Sequence, residues 1–125
     1  MRVIDTSIWI EIYLDSKLGR SCVSDLNDPA AIAVPTIVQH EIYKWLARER
    51  SDEEATKAVT FTTTCVVADL TTAIAIHAAE LAKQHKLHTT DAIILATARL
   101  NDAVLLTCDS HFAGLEGVDY RLKES

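Results

Sequence analysis

Short apolar runs alternate with longer amphipathic stretches along the chain, and this alternation predicts strands separated by helices. The apolar runs occupy residues 2–4, 31–34, 65–68, 103–107 and 118–122. Most of them have the length and composition of strands buried in a parallel sheet, and the last resembles an edge strand. Helical crossovers between parallel strands cover both faces of such a sheet. We therefore expect one α/β domain spanning the whole chain.

Helix signals fill the intervals between these runs. The stretch at 8–14 is almost wholly apolar, so we expect this first helix to be buried or packed against another subunit. Thr36 with Gln39, and Ser51 with Glu54, match the capping-box pattern at helix starts. Further helices are predicted over 17–26 and from Thr36, Ser51, Thr71 or Thr72, and His88, and a short turn or helix is predicted over 109–112.

Composition narrows the class of protein. Hydrophobic residues make up 49% and charged residues 24% of the 125 residues, which is typical of a folded domain. The three cysteines are too few and scattered for a disulfide framework, so we expect reduced thiols and a cytoplasmic protein. No apolar run approaches the ~20 residues of a membrane span. The net charge of −6 disfavours broad, unspecific binding to nucleic acid.

Four carboxylates fall at predicted junctions between strands and helices: Asp5, Glu41, Asp91 and Asp109. Such junctions share one edge of a parallel sheet, where ligands bind. Helical side chains point toward the helix amino terminus, so Glu41, in the second turn, can reach that edge. Ordinary alternatives exist, because the three aspartates suit helix starts and Glu41 could pair with Lys44.

Carboxylates gathered in one place would repel one another, and burial would raise their pKa values. A divalent cation removes this penalty, and an all-oxygen donor set suits Mg²⁺ or Mn²⁺ better than zinc. Such ions activate water and stabilise charge on a phosphodiester, so the pattern favours metal-dependent phosphodiester hydrolysis. Thr6, Ser7 and Thr107 could position water or a phosphate oxygen beside the metal, although each also suits a cap or strand end.

The segments around these acids resemble those of PIN-domain nucleases. The resemblance rests on Val-Ile-Asp-Thr-Ser at 3–7, Glu41 in an early helix, Thr-Asp-Ala-Ile-Ile-Leu-Ala-Thr-Ala at 90–98, and Leu-Thr-Cys-Asp-Ser-His-Phe at 106–112. Within that family the chain is similar to the toxin half of VapBC-type bacterial and archaeal toxin–antitoxin pairs. The resemblance implies a five-stranded parallel sheet of order 3-2-1-4-5 in a single PIN domain, residues 1–125. It also implies Mg²⁺- or Mn²⁺-dependent endonucleolytic cleavage of RNA, often structured RNA such as tRNA or rRNA.

The same resemblance assigns roles to individual residues and implies partners. It places Asp5, Glu41, Asp91 and Asp109 at the family's acidic positions, and Thr6 and Thr107 at its supporting hydroxyl positions. It implies a homodimer, and inhibition by an antitoxin whose carboxyl-terminal segment lies across the active site. The apolar residues Trp9, Tyr13 and Trp45 independently predict a surface that a second copy or an antitoxin covers.

Some alternatives stay open at this point. Lys44 and Arg48 share a helix face with Glu41 and could hold RNA phosphates, or they could be solvated charges paired with acids. His88 and His111 could contact RNA, or serve in loops and caps. The chain could also be a catalytically inert PIN-fold module that binds RNA or protein. A receiver-like signalling domain would need two acids together at the first strand end and a lysine after a later strand. No acid pair follows the first strand here, and Lys123 comes only at the far carboxyl terminus.

Overall fold

The computed structural model describes residues 1–123 and contains a five-stranded parallel sheet. The strands are β1 (Arg2–Ile4), β2 (Ile32–Pro35), β3 (Val66–Ala68), β4 (Val104–Thr107) and β5 (Val118–Tyr120). Their order is β3-β2-β1-β4-β5, so β1 lies at the centre, where Val3 pairs with Ala33 on one side and Leu105 on the other. The predicted α/β class and the strand order 3-2-1-4-5 are confirmed.

Six α-helices connect or flank the strands within the described residues. They are α1 (Thr6–Tyr13), α2 (Lys17–Cys22), α3 (Thr36–Glu49), α4 (Asp52–Thr62), α5 (Thr72–His85) and α6 (Thr89–Leu100). The helix predicted over 17–26 is shorter than expected, because the chain tightens into a 3₁₀ helix at Val23–Leu26. A further 3₁₀ helix at Ser110–Phe112 lies in the short turn or helix predicted there.

The capping box predicted at Thr36 is wrong. Pro35 occupies the N-cap position, with no side-chain cap, and its φ of −60° leads directly from β2 into α3. The Gln39 side chain is used elsewhere, since its Nε2 donates to Thr62 Oγ1 at 3.0 Å and so ties α3 to the end of α4. This long-range bond replaces the local one that the sequence suggested.

At Ser51 the structure contains the first half of the predicted box. Ser51 Oγ accepts a hydrogen bond from the Glu54 N–H at 3.1 Å and so caps α4. The Glu54 carboxylate instead lies 3.5 Å from Arg50 Nη1. The helix start is therefore where the sequence predicts it, although the glutamate has another partner.

Helix α1 packs into the core of its own chain. Trp9 is 1% exposed, and its Nε1 donates to the Ile4 carbonyl at 3.1 Å, so the indole needs no partner protein to cover it. Tyr13 and Trp45 remain half-buried. Within residues 1–123 no helix has both the length and the apolar composition needed to cross a membrane.

Candidate functional site

The four predicted acids lie at the carboxyl-terminal edge of the sheet, and we call this group the acidic edge: Asp5, Glu41, Asp91 and Asp109. Asp5 follows β1 directly, and its N–H donates to the Leu106 carbonyl at 2.9 Å, which fixes it beside the end of β4. It is also the N-cap of α1. The cap role and the site position are therefore compatible.

Asp5 is a buried carboxylate, 3% exposed, held by neutral donors. Its Oδ2 accepts hydrogen bonds from Ser7 Oγ at 2.6 Å and from Thr107 Oγ1 at 2.9 Å. Burial raises the pKa of Asp5 to about 6, although these hydrogen bonds lower it and the charge of Asp91 raises it further. At neutral pH the group carries a negative charge that no lysine or arginine in residues 1–123 pairs with.

Thr107 connects two of the acids through one hydroxyl group. Its Oγ1 donates to Asp5 and accepts from the Asp109 N–H at 3.0 Å. Ser7 strengthens the same junction, since its Oγ lies 3.3 Å from Thr107 Oγ1 and accepts from the Cys108 N–H at 3.2 Å. The two hydroxyl residues thus hold the ends of β1 and β4 in a fixed relation.

Glu41 reaches the acidic edge from the second turn of α3. It accepts a hydrogen bond from Thr6 Oγ1, the first residue of α1, at 2.8 Å. The alternative pairing with Lys44 does not occur, because Lys44 has no ion-pair partner in the part of the chain that the structure describes. The charge of Glu41 also contributes to raising the pKa of Asp91.

Asp91 and Asp109 both lie beside the same ring nitrogen of His111. His111 Nδ1 lies 2.9 Å from Asp109 Oδ1 and 3.9 Å from Asp91 Oδ2. Burial and then the charge of Asp109 raise the pKa of Asp91, an effect that His111 and His88 oppose and Glu41 adds to. The edge-on ring of His88 lies 5.7 Å from that of His111, centroid to centroid.

The sequence suggested His111 only as a possible RNA contact or as a loop or cap residue, and did not place it beside the acids. The only local signal is its position two residues after Asp109, whose Oδ1 accepts from the His111 N–H at 2.9 Å and caps the 3₁₀ helix. Because the imidazole lies against two of the acids, a nitrogen donor stands beside the oxygen donors that the sequence predicted.

The donor set fits a divalent cation. One ligand atom from each of Asp91, Asp109 and His111 can be chosen so that all three lie within 4.8 Å of one another. The carboxylates suit Mg²⁺ or Mn²⁺, whereas a ligating imidazole would favour a transition-metal ion such as Mn²⁺ over Mg²⁺. The raised pKa values of Asp5 and Asp91 are the penalty that a bound cation would remove.

Lys44 and Arg48 lie one and two turns beyond Glu41 on α3, beside a cavity of about 360 Å³ that Thr6 and Glu41 also line. Arg48 Nε lies 2.9 Å from the neighbouring Glu49 carboxylate, and both side chains are largely exposed. The two cations are thus close to the acidic edge without being paired to it.

The five-stranded parallel sheet places the chain in the α/β class, and its carboxylates lie at the carboxyl-terminal edge, where such domains bind ligands. The PIN domain model matches residues 2–118, so the chain belongs to the PIN-domain family. The resemblance seen in the sequence is confirmed. A search of curated proteins found no significant match.

Solved structures of high overall similarity come from toxin–antitoxin systems. A toxin–antitoxin complex from Klebsiella pneumoniae has a TM-score of 0.81 and 26% identity, with 95% of this chain and 96% of that chain covered. VapBC2 from Rickettsia felis, bound to a DNA fragment from its promoter, has a TM-score of 0.74 and 17% identity, with 98% of each chain covered. Mycobacterium tuberculosis VapC20, described as a sarcin-ricin loop cleaving toxin, has a TM-score of 0.75 and 17% identity. The similarity covers 93% of this chain and 95% of that chain. At 17% identity, the last two show the shared fold.

Proposed function

We propose that this protein is a Mg²⁺- or Mn²⁺-dependent endoribonuclease and the toxin component of a type II toxin–antitoxin system. The observation that carries the proposal is the convergence of Asp5, Glu41, Asp91 and Asp109 at one edge of a PIN fold, where no lysine or arginine within residues 1–123 neutralises them. Membership of the PIN family and the toxin–antitoxin neighbours support it.

In this proposal the four acids hold the metal, and His111 lies where its imidazole could contribute. Bound there, the ion supplies an activated water and stabilises negative charge on the phosphodiester. The chain's own task is to fix the acids: Ser7 and Thr107 orient Asp5, Thr107 also holds the Asp109 backbone, and Thr6 orients Glu41. Such positioning matters because misplacing a reacting group by ~1 Å can cost ~10²-fold in rate.

We propose RNA as the substrate, including structured RNA such as tRNA or rRNA. The description of VapC20 as a sarcin-ricin loop cleaving toxin supports a structured target. Lys44 and Arg48 lie beside Glu41 and could hold phosphates of the bound strand. They would concentrate positive charge locally in a chain whose net charge is −6.

The proposed partners are a cognate antitoxin and a second copy of the chain in the cytoplasm. The solved toxin–antitoxin complexes with this fold support the antitoxin. The half-buried Tyr13 leaves aromatic surface that either partner could cover. Sedimentation of the purified protein as a monomer only would contradict the homodimer.

The decisive experiment compares two isosteric substitutions. With Mn²⁺ or Mg²⁺, the wild type should cleave RNA, and Asp5→Asn should reduce the rate by at least ~10²-fold because a charged ligand is lost. Asp119→Asn is the matched control, since Asp119 lies on β5 and pairs with Arg2 and Arg121 away from the acidic edge. Cleavage by Asp5→Asn at the wild-type rate would exclude this site.

The alternative of a catalytically inert module makes a different prediction. Such a module needs no cation, so calorimetric titration with Mn²⁺ should show no saturable binding. We expect saturable binding, because the acid set is complete and Asp91, Asp109 and His111 bring donor atoms within 4.8 Å of one another. Absence of binding, together with absence of cleavage, would favour the inert module.

A further inference from the structure

A hollow opens beside Glu41, between α1 and α3 and near the start of α6. Its volume is about 360 Å³, which falls in the range of ~300–1,000 Å³ typical of small-molecule sites. Glu41 belongs to both the hollow and the acidic edge, and Thr6, which also lines the hollow, donates a hydrogen bond to it. Whatever occupies the hollow therefore lies next to the proposed cleavage site.

Two parallel rows of side chains on α3 give the hollow a mixed character. One row, at four-residue spacing, is Ile37, Glu41 and Trp45, and the adjacent row is His40, Lys44 and Arg48. An aromatic ring therefore lies beside a line of basic side chains. Ile10 of α1 adds a further apolar wall.

The charges of the hollow favour an anionic ligand. Among the described residues that line the hollow, Glu41 is the only acid, and it lies at the end that meets the acidic edge. Lys44 has no ion-pair partner within residues 1–123. The Arg48–Glu49 pair is largely exposed, and such surface pairs hold a side chain only weakly.

We propose that this hollow binds the nucleotide next to the cleaved phosphodiester, with its base stacked on Trp45 and its phosphate held by Lys44 and Arg48. This assignment rests on the proposed nuclease function. Aromatic rings combined with basic side chains are how proteins hold unpaired nucleotides. A segment of a partner protein could use the apolar wall, but it would leave the basic row without a counterpart unless it were acidic.

The experiment uses the full chain and a pool of short RNAs of randomised sequence, with both ends of each product sequenced. The wild type should show a modest base preference at one position beside the cut, because bases differ in stacking strength. Trp45→Leu, which keeps apolar bulk but removes the ring, should lose that preference and lower kcat/KM by about 10-fold, as expected for one stacked base. Trp45→Phe should restore much of both. Tyr43→Leu is the matched control, because Tyr43 is 41% exposed on the same helix and does not line the hollow.

A second pair of variants tests the phosphate contact. Lys44→Gln should weaken cleavage of all sequences about equally and reduce the slope of log affinity against log salt by about one. Lys83→Gln, an exposed lysine of α5, should leave that slope unchanged. Thermal unfolding and Mn²⁺ titration of each variant show whether the fold and the acidic edge are intact.

The outcomes separate this assignment from the proposed function. If the wild type cleaves no RNA with either metal, the nuclease proposal itself is wrong. If the wild type cleaves and Trp45→Leu keeps the same preference and kcat/KM, the nuclease proposal stands and the nucleotide site is wrong. If Trp45→Leu and Lys44→Gln cleave normally but no longer bind the cognate antitoxin, the hollow is a site for that protein and our assignment is overturned.

Discussion

Two groups of carboxylates lie beside the same sheet, and they differ in whether arginine side chains pair with them. In the first, which we call the ion-pair network, Asp25 and Asp119 alternate with Arg2 and Arg121. Arg121 lies 3.1 Å from Asp25 and 3.2 Å from Asp119, and Arg2 lies 3.3 Å from Asp119. In the second, the acidic edge, no lysine or arginine of residues 1–123 forms an ion pair with any of the four acids.

The pKa values of Asp119 and Asp5, one carboxylate from each group, move in opposite directions. Burial acts to raise the pKa of Asp119, but hydrogen bonds from Arg121 and Arg2 outweigh it and lower that pKa. Burial raises the pKa of Asp5 to about 6, because its hydroxyl donors are neutral and compensate only in part. The network is thus electrostatically complete within the chain. The acidic edge has the form expected if a cation from outside completes it.

The largest effect on stability that follows from this contrast is at Asp5. In a chelating buffer at pH 7.5, Asp5→Asn should increase the free energy of unfolding by about 1–3 kcal/mol, since a pKa shift of about two units corresponds to ~3 kcal/mol at most. Because the pKa is raised in the folded state, the native protein binds more protons between pH 4 and 6, and stability falls as pH rises through that range. Denaturant unfolding of both proteins at several pH values measures the difference.

The control for this experiment is the low-pH limit. Below the ordinary aspartate pKa of 3.8 the carboxyl is protonated in both states, so the difference between Asp5→Asn and the wild type should disappear. If Asp5→Asn were instead less stable than the wild type at pH 7.5 without metal, the carboxylate would be stabilising, and the contrast with the ion-pair network would be wrong.

Metal binding should have a stabilising effect of similar size. At a Mn²⁺ concentration of 100 times Kd, the wild type should gain ~2.7 kcal/mol in unfolding free energy. Asp91→Asn should gain much less, because Asp91 is one of the three residues whose donor atoms lie together. Asp119→Asn should gain as much as the wild type. Equal stabilisation of all three proteins would show that Mn²⁺ binds elsewhere.

The sequence predicted the fold and the acids because both depend on local signals. Short apolar runs mark the buried strands, and carboxylates at the strand ends necessarily share one edge once the sheet is parallel. Strand order is different, since no periodicity specifies which strands are neighbours. The order 3-2-1-4-5 came from the resemblance to PIN domains and is confirmed by the pairing of β1 with β2 and β4.

What the sequence did not predict depends on contacts between distant residues. His111 lies in a three-residue 3₁₀ helix, too short for any periodic pattern, and its partner Asp91 is on α6. Gln39 was expected to complete a local cap but bonds Thr62, 23 positions away. The hollow at Trp45 likewise requires α1, α3 and the start of α6 together. Such features follow only from the folded arrangement.

The smallest expected effect on stability is at Asp119, in the ion-pair network. Asp119→Asn should lower the free energy of unfolding at neutral pH by about 0.2–1 kcal/mol, the usual range for partly exposed ion pairs. Its pKa is lowered in the folded state, so this stability is present above the ordinary aspartate pKa and is lost as pH falls through the folded value. The pH dependence is therefore opposite in sign to that of Asp5.

The effect of Asp119→Asn should also shrink in high salt, which screens the two arginines from the carboxylate. Denaturant unfolding at low and high salt measures it, and a stabilisation by Asp119→Asn at neutral pH would mean that its arginine partners do not compensate for burial after all.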